Sequence, residues 1–446
     1  MLHPLVAVVM VLAIILMLCL RWKYVIAPLL LALFIVPMGQ VLVLGGVHFT
    51  VARILILVGL VRSARERRRP EGGRLADGLS SIDRSFTIWA CLACVIFSLQ
   101  WMETQALIKS LGTFLDALGA FFVFRSLIRD REDVRRAISV FAVVAAVMAV
   151  CMTIEKMTRQ NPFGLLGGVP IVPADRDGKV RAQGAFEIYL TAGVFGATLV
   201  PLFIWLWSDA KSRISAFVGM VSATVITITS YSSTPFLPYA AGLFAFCFWP
   251  VRQKMRLVRW GLSITLISLH LAMKGAVWDL IARVDLTGGS SGYHRSILID
   301  NCVRHFSDWW LLGTRNYNTW AWDMWDLCDQ YVVYAFTGGL ATLFFFIQII
   351  SRSFGGLGTA RKAARGNRKQ EWFLWCLGAA LFSHVVGYFG IAYYDQMQFS
   401  WYALLAMICA AIPEAMRSPV PQVREATSPN YHTGVTTNWE ILETNR

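Results

Sequence analysis

The run QYVVYAFTGGLATLFFFIQII, residues 330–350, has twenty-one residues, no charged side chain, and Arg352 immediately beyond it as the first of six basic residues between 351 and 371. A helix needs about 20 mostly apolar residues to cross the hydrocarbon core of a bilayer, and a basic block at one end marks a cytoplasmic flank. Ahead of the run lies a polar, tryptophan-rich stretch, 274–329. One segment therefore shows a polar loop, an apolar span and a positive stop in order.

Windows of the same kind recur along the chain, near 4–20, 25–44, 47–61, 85–102, 106–124, 137–153, 189–206, 214–229, 236–250, 258–273, 373–394 and 399–413. Pro28, Pro37 and the Gly45-Gly46 pair interrupt the second and third, so one of these is expected to be broken or re-entrant. The expectation is an all-α polytopic membrane protein with about twelve to thirteen transmembrane helices. Composition agrees: 56% of the 446 residues are hydrophobic and 15% charged, and mean hydropathy is +0.55. A net charge of +14 raises nucleic acid as a partner. The basic residues fall in short blocks between apolar runs, which reads as topology and not as a nucleic-acid footprint.

Counting Lys and Arg by alternate loops gives 29 on one side and 10 on the other. The richer side is expected to be cytoplasmic, with the C-terminus inside. The first apolar run, with an uncharged Met1-Leu2-His3 ahead of it, is expected to stay as an uncleaved helix. Expected units are N-terminal membrane helices over 1–153, a first long external loop over 154–188, a second membrane region over 189–413 holding the large external loop 274–329, and a disordered cytoplasmic tail over 414–446. Lys274, Arg283, Arg295, Arg304 and Arg315 all fall in the large loop, on the side where arginines are uncommon.

Four pieces then carry a resemblance. RAQGAFEIYLTAGVFGATLVPL (181–202), TSYSSTPFLPYAAGLFAF (229–246), YHRSILIDNCVRHFSDWWLLGTRNYNTW (293–320) and DQYVVYAFTGGLATLFFF (329–346) resemble, in order and in expected side of the membrane, the bacterial O-antigen ligase and polysaccharide polymerase family. The resemblance implies a GT-C-like membrane glycosyltransferase of lipopolysaccharide or exopolysaccharide biosynthesis in the bacterial inner membrane. Its partners would be an undecaprenyl-diphosphate-linked glycan donor, a lipid A core or glycan acceptor, and membrane lipids, with no cofactor and no metal. Chemistry supports the residue types: guanidinium forks pair with diphosphate oxygens and stabilise the charge of a leaving group.

On the resemblance, Arg295 matches the family's loop arginine and would act on the diphosphate, with Arg181 and Arg315 in support. Each has an alternative as a solvated charge or a surface ion pair. Arg304 lies nine residues beyond Arg295 and is expected on the opposite helix face. His294, Asn301 and His305 are expected on one face, as a wall of the site or as an interfacial stripe. Their spacing is no metal signature. Where the family carries His-Asn after the large loop, this chain has Asp329-Gln330, so Asp329 is read either as a substitute general base or as a helix cap. Within the spans Arg53, Asp116, His270 and His384 are the costly ionisable residues. Arg53 is expected to meet the carrier phosphate or to pair with Asp116. Cys302 and Cys328 share an external loop where a bridge is permitted. The competing functions are a transporter or flippase and an inactive scaffold of a polysaccharide export complex.

Overall fold

The computed structural model describes residues 2–44, 47–67, 79–273, 275–283 and 292–417. Gly45-Gly46, Lys274, the Arg283 side chain and the tail beyond 417 lie outside them. In chain order the helices are α1 (Pro4–Cys19), α2 (Ile26–Ile35), α3 (Val51–Arg67), α4 (Ser81–Trp101), α5 (Thr104–Phe114), α6 (Ala120–Leu127), α7 (Arg131–Thr158), α8 (Tyr189–Trp207), α9 (Arg213–Thr229) and α10 (Ser233–Cys247). They continue with α11 (Met255–Ala272), α12 (Gly292–Arg304), α13 (Phe306–Trp309), α14 (Gln330–Ala363), α15 (Arg368–Gly387) and α16 (Asp395–Arg417). Among the described residues, seven helical stretches are long and apolar enough to cross a membrane, or eight if α10 and α11, bent by 104° to each other, form one span. The chain is an all-α polytopic membrane protein.

The second apolar window is broken, as expected, and the break is a hairpin. After the ten-residue α2, residues 36–44 and 47–50 leave the helical path and carry the antiparallel pair β1 (Val41–Leu44) and β2 (Val47–Thr50), with Val41 opposite Thr50. Hydropathy cannot separate an apolar hairpin of Val, Leu and Phe from a helix. Pro37 stops α2, and Gly39 brings the turn against the first long loop, since a Cβ there would sit 2.4 Å from the Gly168 carbonyl.

Two helices hold the centre. In α8, 83% of the apolar window is buried, and in α16, 78%. Small residues let α8 approach α9 closely: a Cβ at Gly196 would come within 2.6 Å of the Ala223 carbonyl. This is how helices associate where lipid removes the hydrophobic drive. Phe34 and Phe195 stack at 4.9 Å beside Phe141, and Phe86 and Phe121 at 4.2 Å, filling the space left between helices.

The large loop is packed over its described residues 292–329. Leu298, Cys302, Trp309, Met324 and Cys328 join Val332 and Phe336 of α14 in a second, smaller core. Its anchor is a break in α14 at Gly339, whose φ of 64° and ψ of −175° lie outside the range of L residues. The break frees the Phe336 carbonyl, which accepts from Thr314 N at 2.8 Å and Gln100 Nε2 at 2.9 Å, while Leu340 N donates to the Trp310 carbonyl at 2.8 Å. The Leu-Gly turn and the paired glycines thus lock together. Gly339→Ala would force a left-handed angle on alanine and bring its Cβ within 2.5 Å of the Leu311 carbonyl. We expect destabilisation of roughly 2 kcal/mol or more, seen as a lower thermal midpoint in detergent. An unchanged midpoint would mean that the loop does not dock on this break.

Candidate functional site

Arg295 lies on the inward face of α12 and is 6% exposed, the one buried arginine or lysine among the described residues. Its Nε and Nη2 donate to the Gly390 carbonyl at 3.1 and 2.9 Å, and Nη2 also to Thr234 Oγ1 at 2.7 Å. These partners come from the Ser-rich turn opening α10 and from the link between α15 and α16. Gly390 leaves room for the junction, because a Cβ there would stand 2.6 Å from Thr234 Cγ2. Both acceptors are neutral. A buried guanidinium with no ion pair among the described residues is a costly arrangement, and the next anion to arrive relieves it.

Asp329 holds a carboxyl within electrostatic reach of Arg295. It caps α14, with Oδ1 accepting from Tyr331 N at 2.8 Å and Val332 N at 3.1 Å. Its Oδ2 is buried without a hydrogen-bond partner. Burial pushes its carboxyl up to about 7, against the opposing pull of the two N–H bonds and of Arg295. Gln330 pins this corner: its N–H donates to the Tyr388 carbonyl at 2.9 Å and its side-chain oxygen accepts from Tyr393 N.

A second polar group lies toward the same end. The turn at 183–184 is held by Glu155, whose carboxylate accepts from Gln183 N at 3.1 Å and Gly184 N at 2.8 Å. This places Arg181 over the Tyr189 ring, 4.7 Å from its centroid and hydrogen-bonded to its hydroxyl, with Nε buried and without a partner. Asp395, at a φ of 52°, accepts from Thr191 Oγ1 at 2.8 Å, Met397 N at 2.9 Å and Glu187 N at 3.1 Å. Tyr394 beside it is pushed well up by burial first and then by the charges of Asp395, Glu187 and Asp326. The Asp326 carbonyl contacts His294 Nε2 at 2.8 Å. Arg295 lies within electrostatic reach of Asp329, His294 holds the Asp326 carbonyl, and Arg181 stays with Tyr189, all toward the same end of the bundle.

The remaining predicted residues do not join them. Arg315 lies 4.0 Å over the Trp101 ring, at the end of α4. Arg304 faces solvent with 72% of its side chain exposed and pairs with Asp300 one turn back, so the half-turn offset from Arg295 holds. His305 sits beyond the end of α12, stacked on Trp320 at 4.2 Å and 3.1 Å from Asp308 Oδ2. His294 and His305 hold the 320–326 segment, so their face is a packing surface. Arg53 is taken by Asp116, with contacts of 2.6 and 3.0 Å, and by the His48 carbonyl at 3.1 Å. A π-helical turn, Leu115–Gly119, carries Asp116.

Sequence reasoning missed Thr234, Gly390, Tyr394, Asp395 and Glu155. Thr234 stood inside a quoted motif, whereas Asp395 sat in a tight turn that gave no signal beyond an acid before an apolar run. Cys302 and Cys328 are free thiols, each pushed up to about 12 chiefly by burial. Both are expected to resist a thiol reagent in the folded protein and to titrate fully on denaturation. Prompt labelling of either in the native state would contradict their burial. Among the described residues no three His, Cys, Asp or Glu side chains gather as a metal set. No protein-family model matches the chain, and no curated protein is significantly similar to it.

Proposed function

We propose that the chain is a membrane glycosyltransferase that transfers or polymerises an undecaprenyl-diphosphate-linked oligosaccharide at the periplasmic face of the bacterial inner membrane, as an O-antigen ligase or surface polysaccharide polymerase does. The observation that carries the reading is Arg295: a buried cation held by neutral oxygens, beside a carboxyl whose free oxygen has no partner. A diphosphate brings the missing negative charge. As the glycosidic bond to the carrier breaks, its electron pair passes to the diphosphate, where guanidinium N–H groups stabilise it. The acceptor hydroxyl attacks the anomeric carbon from the opposite face and gives its proton to Asp329. Arg181, with its unpartnered Nε, supports the glycan or carrier at the rim. In this reading the apolar helices beyond the seven also span, for a GT-C-like bundle of twelve to thirteen with the 274–329 loop outside and the C-terminus in the cytoplasm.

A second reading rests on Asp329 Oδ1, which caps α14 and would do so equally in an inactive scaffold of an export complex. Reconstitution into vesicles with an undecaprenyl diphosphate oligosaccharide and an acceptor separates the possibilities. New glycosidic bonds are expected. Translocation without bond formation would assign a flippase, and neither event would assign the scaffold.

A further inference from the structure

At the opposite end of the bundle two cavities open. One, of about 1020 Å³, is bordered by Arg135, Trp205, Asp209 and Arg368, and its central charges already satisfy each other: Arg135 pairs with Asp209 and Glu132. The other, of about 240 Å³, sits in the elbow between α10 and α11 and is lined by Arg252, Arg361, Lys362 and Arg365 with Gln253 and Glu371. Four cations face one carboxylate there. That carboxylate is occupied, since Glu371 accepts from Arg252 Nε at 2.7 Å and from Gly366 N at 3.2 Å.

Two donors in this elbow lack acceptors. Arg361 lies 5.2 Å over the Trp375 ring, and both Arg361 Nη1 and Trp375 Nε1 are buried without a hydrogen-bond partner. Glu371 attracts the Arg361 charge, and Arg252 and Arg259 repel it. Unmatched N–H groups within an excess of positive charge call for an oxyanion. The surroundings say which kind. Trp249 packs against Trp372 and Trp375 at 4.9 and 5.8 Å, tryptophans of the sort found at headgroup depth. Next to the elbow α11 presents an apolar surface, with Leu257 69% and Trp260 65% exposed. A free phosphate would use the cations alone, whereas a lipid uses both.

We infer that the elbow lined by Arg252, Arg361, Lys362 and Arg365, with Trp375 packed against Arg361, binds the phosphate of an anionic phospholipid headgroup, with the acyl chains along α11. Basic pockets between membrane helices recognise such lipids, each cation contributing roughly a five-fold gain in affinity.

Native mass spectrometry of the full chain in detergent, titrated with phosphatidylglycerol or phosphatidylcholine, tests this. Phosphatidylglycerol is expected to be retained about ten-fold more tightly, with Arg361→Gln lowering that retention about five-fold. Arg365→Gln, on the exposed rim with its guanidinium on Gln253, gives the same readout should the first variant fold poorly. Arg176→Gln, in an exposed hairpin, is the control for loss of charge. Equal retention of the two lipids overturns the proposal, as do Arg361 and Arg365 variants that behave like the control. Complete displacement of phosphatidylglycerol by millimolar inorganic phosphate would assign the elbow to a soluble anion instead.

Discussion

Asp329→Asn is expected to slow glycan transfer by about 10² to 10⁴-fold, the usual worth of a positioned general base, while leaving the fold intact. Asparagine caps helices as well as aspartate does, so the bonds to Tyr331 N and Val332 N survive and only proton acceptance is lost. Asp329→Ala removes both, and its thermal midpoint should fall with the loss of about 0.5 to 2 kcal/mol. The pH profile separates the roles further. With the carboxyl at about 7, a base is ionised only above that value, so turnover should rise through neutral pH and level off, a limb absent from the residual activity of Asp329→Asn. Stability runs the other way. Because the folded value lies above the unfolded one, this group's contribution is complete below about 3.8 and is lost as pH rises through about 7. Relative to wild type, Asp329→Asn should therefore be more stable at pH 8 than at pH 5. Wild-type turnover in this variant would reduce Asp329 to a cap.

What the sequence made legible follows from periodicity and its blindness to distant contacts. Arg295 and Arg304 fall on opposite faces because nine helical steps end half a turn out of phase, and their burial follows that arithmetic. The acid before the apolar run at 330 announced the N-cap. Pro37 and Gly45-Gly46 announced the break in the second and third apolar windows, but their apolar content satisfies a membrane window and could not say that the break is a hairpin. Arg53 had two open partners, and Asp116 took it because a π-helical turn inside the α5–α6 stretch presents its carboxylate at 2.6 Å. The Arg295, Thr234 and Gly390 junction was beyond reach. It joins three elements far apart in the chain through a carbonyl and a hydroxyl, neither of which leaves a mark in hydropathy or spacing. Gly339 was visible as one of a pair, but its role depends on Trp310 and Leu311 folding back onto it.

Substitutions at Arg295 have the largest expected effect and distinguish function from structure most sharply. Arg295→Ala should lower transfer by about 10³-fold, at the upper end of what one oxyanion-stabilising donor supplies. Arg295→Lys keeps the charge but loses the planar fork, and a bidentate diphosphate contact does not tolerate that exchange. A loss of about 10² is expected for it. Arg295→Met is the decisive variant. A buried cation with no counterion costs free energy to hold, and an apolar side chain of similar length relieves that cost, so this variant should match or exceed the wild-type thermal midpoint while transferring no glycan. The contact with the Gly390 carbonyl and Thr234 Oγ1 sets the opposing effect, because removal of the guanidinium leaves a buried carbonyl unpaired at about 1 to 3 kcal/mol. If that dominates, the midpoint falls, and a purely structural role for Arg295 would then lower transfer only in proportion to the folded fraction, whereas the folded fraction is expected to stay inactive. A folded Arg295→Met with wild-type transfer would remove the reason for a diphosphate at this end of the bundle. A folded and inactive one leaves the guanidinium no role except to meet an anion that the chain itself does not provide.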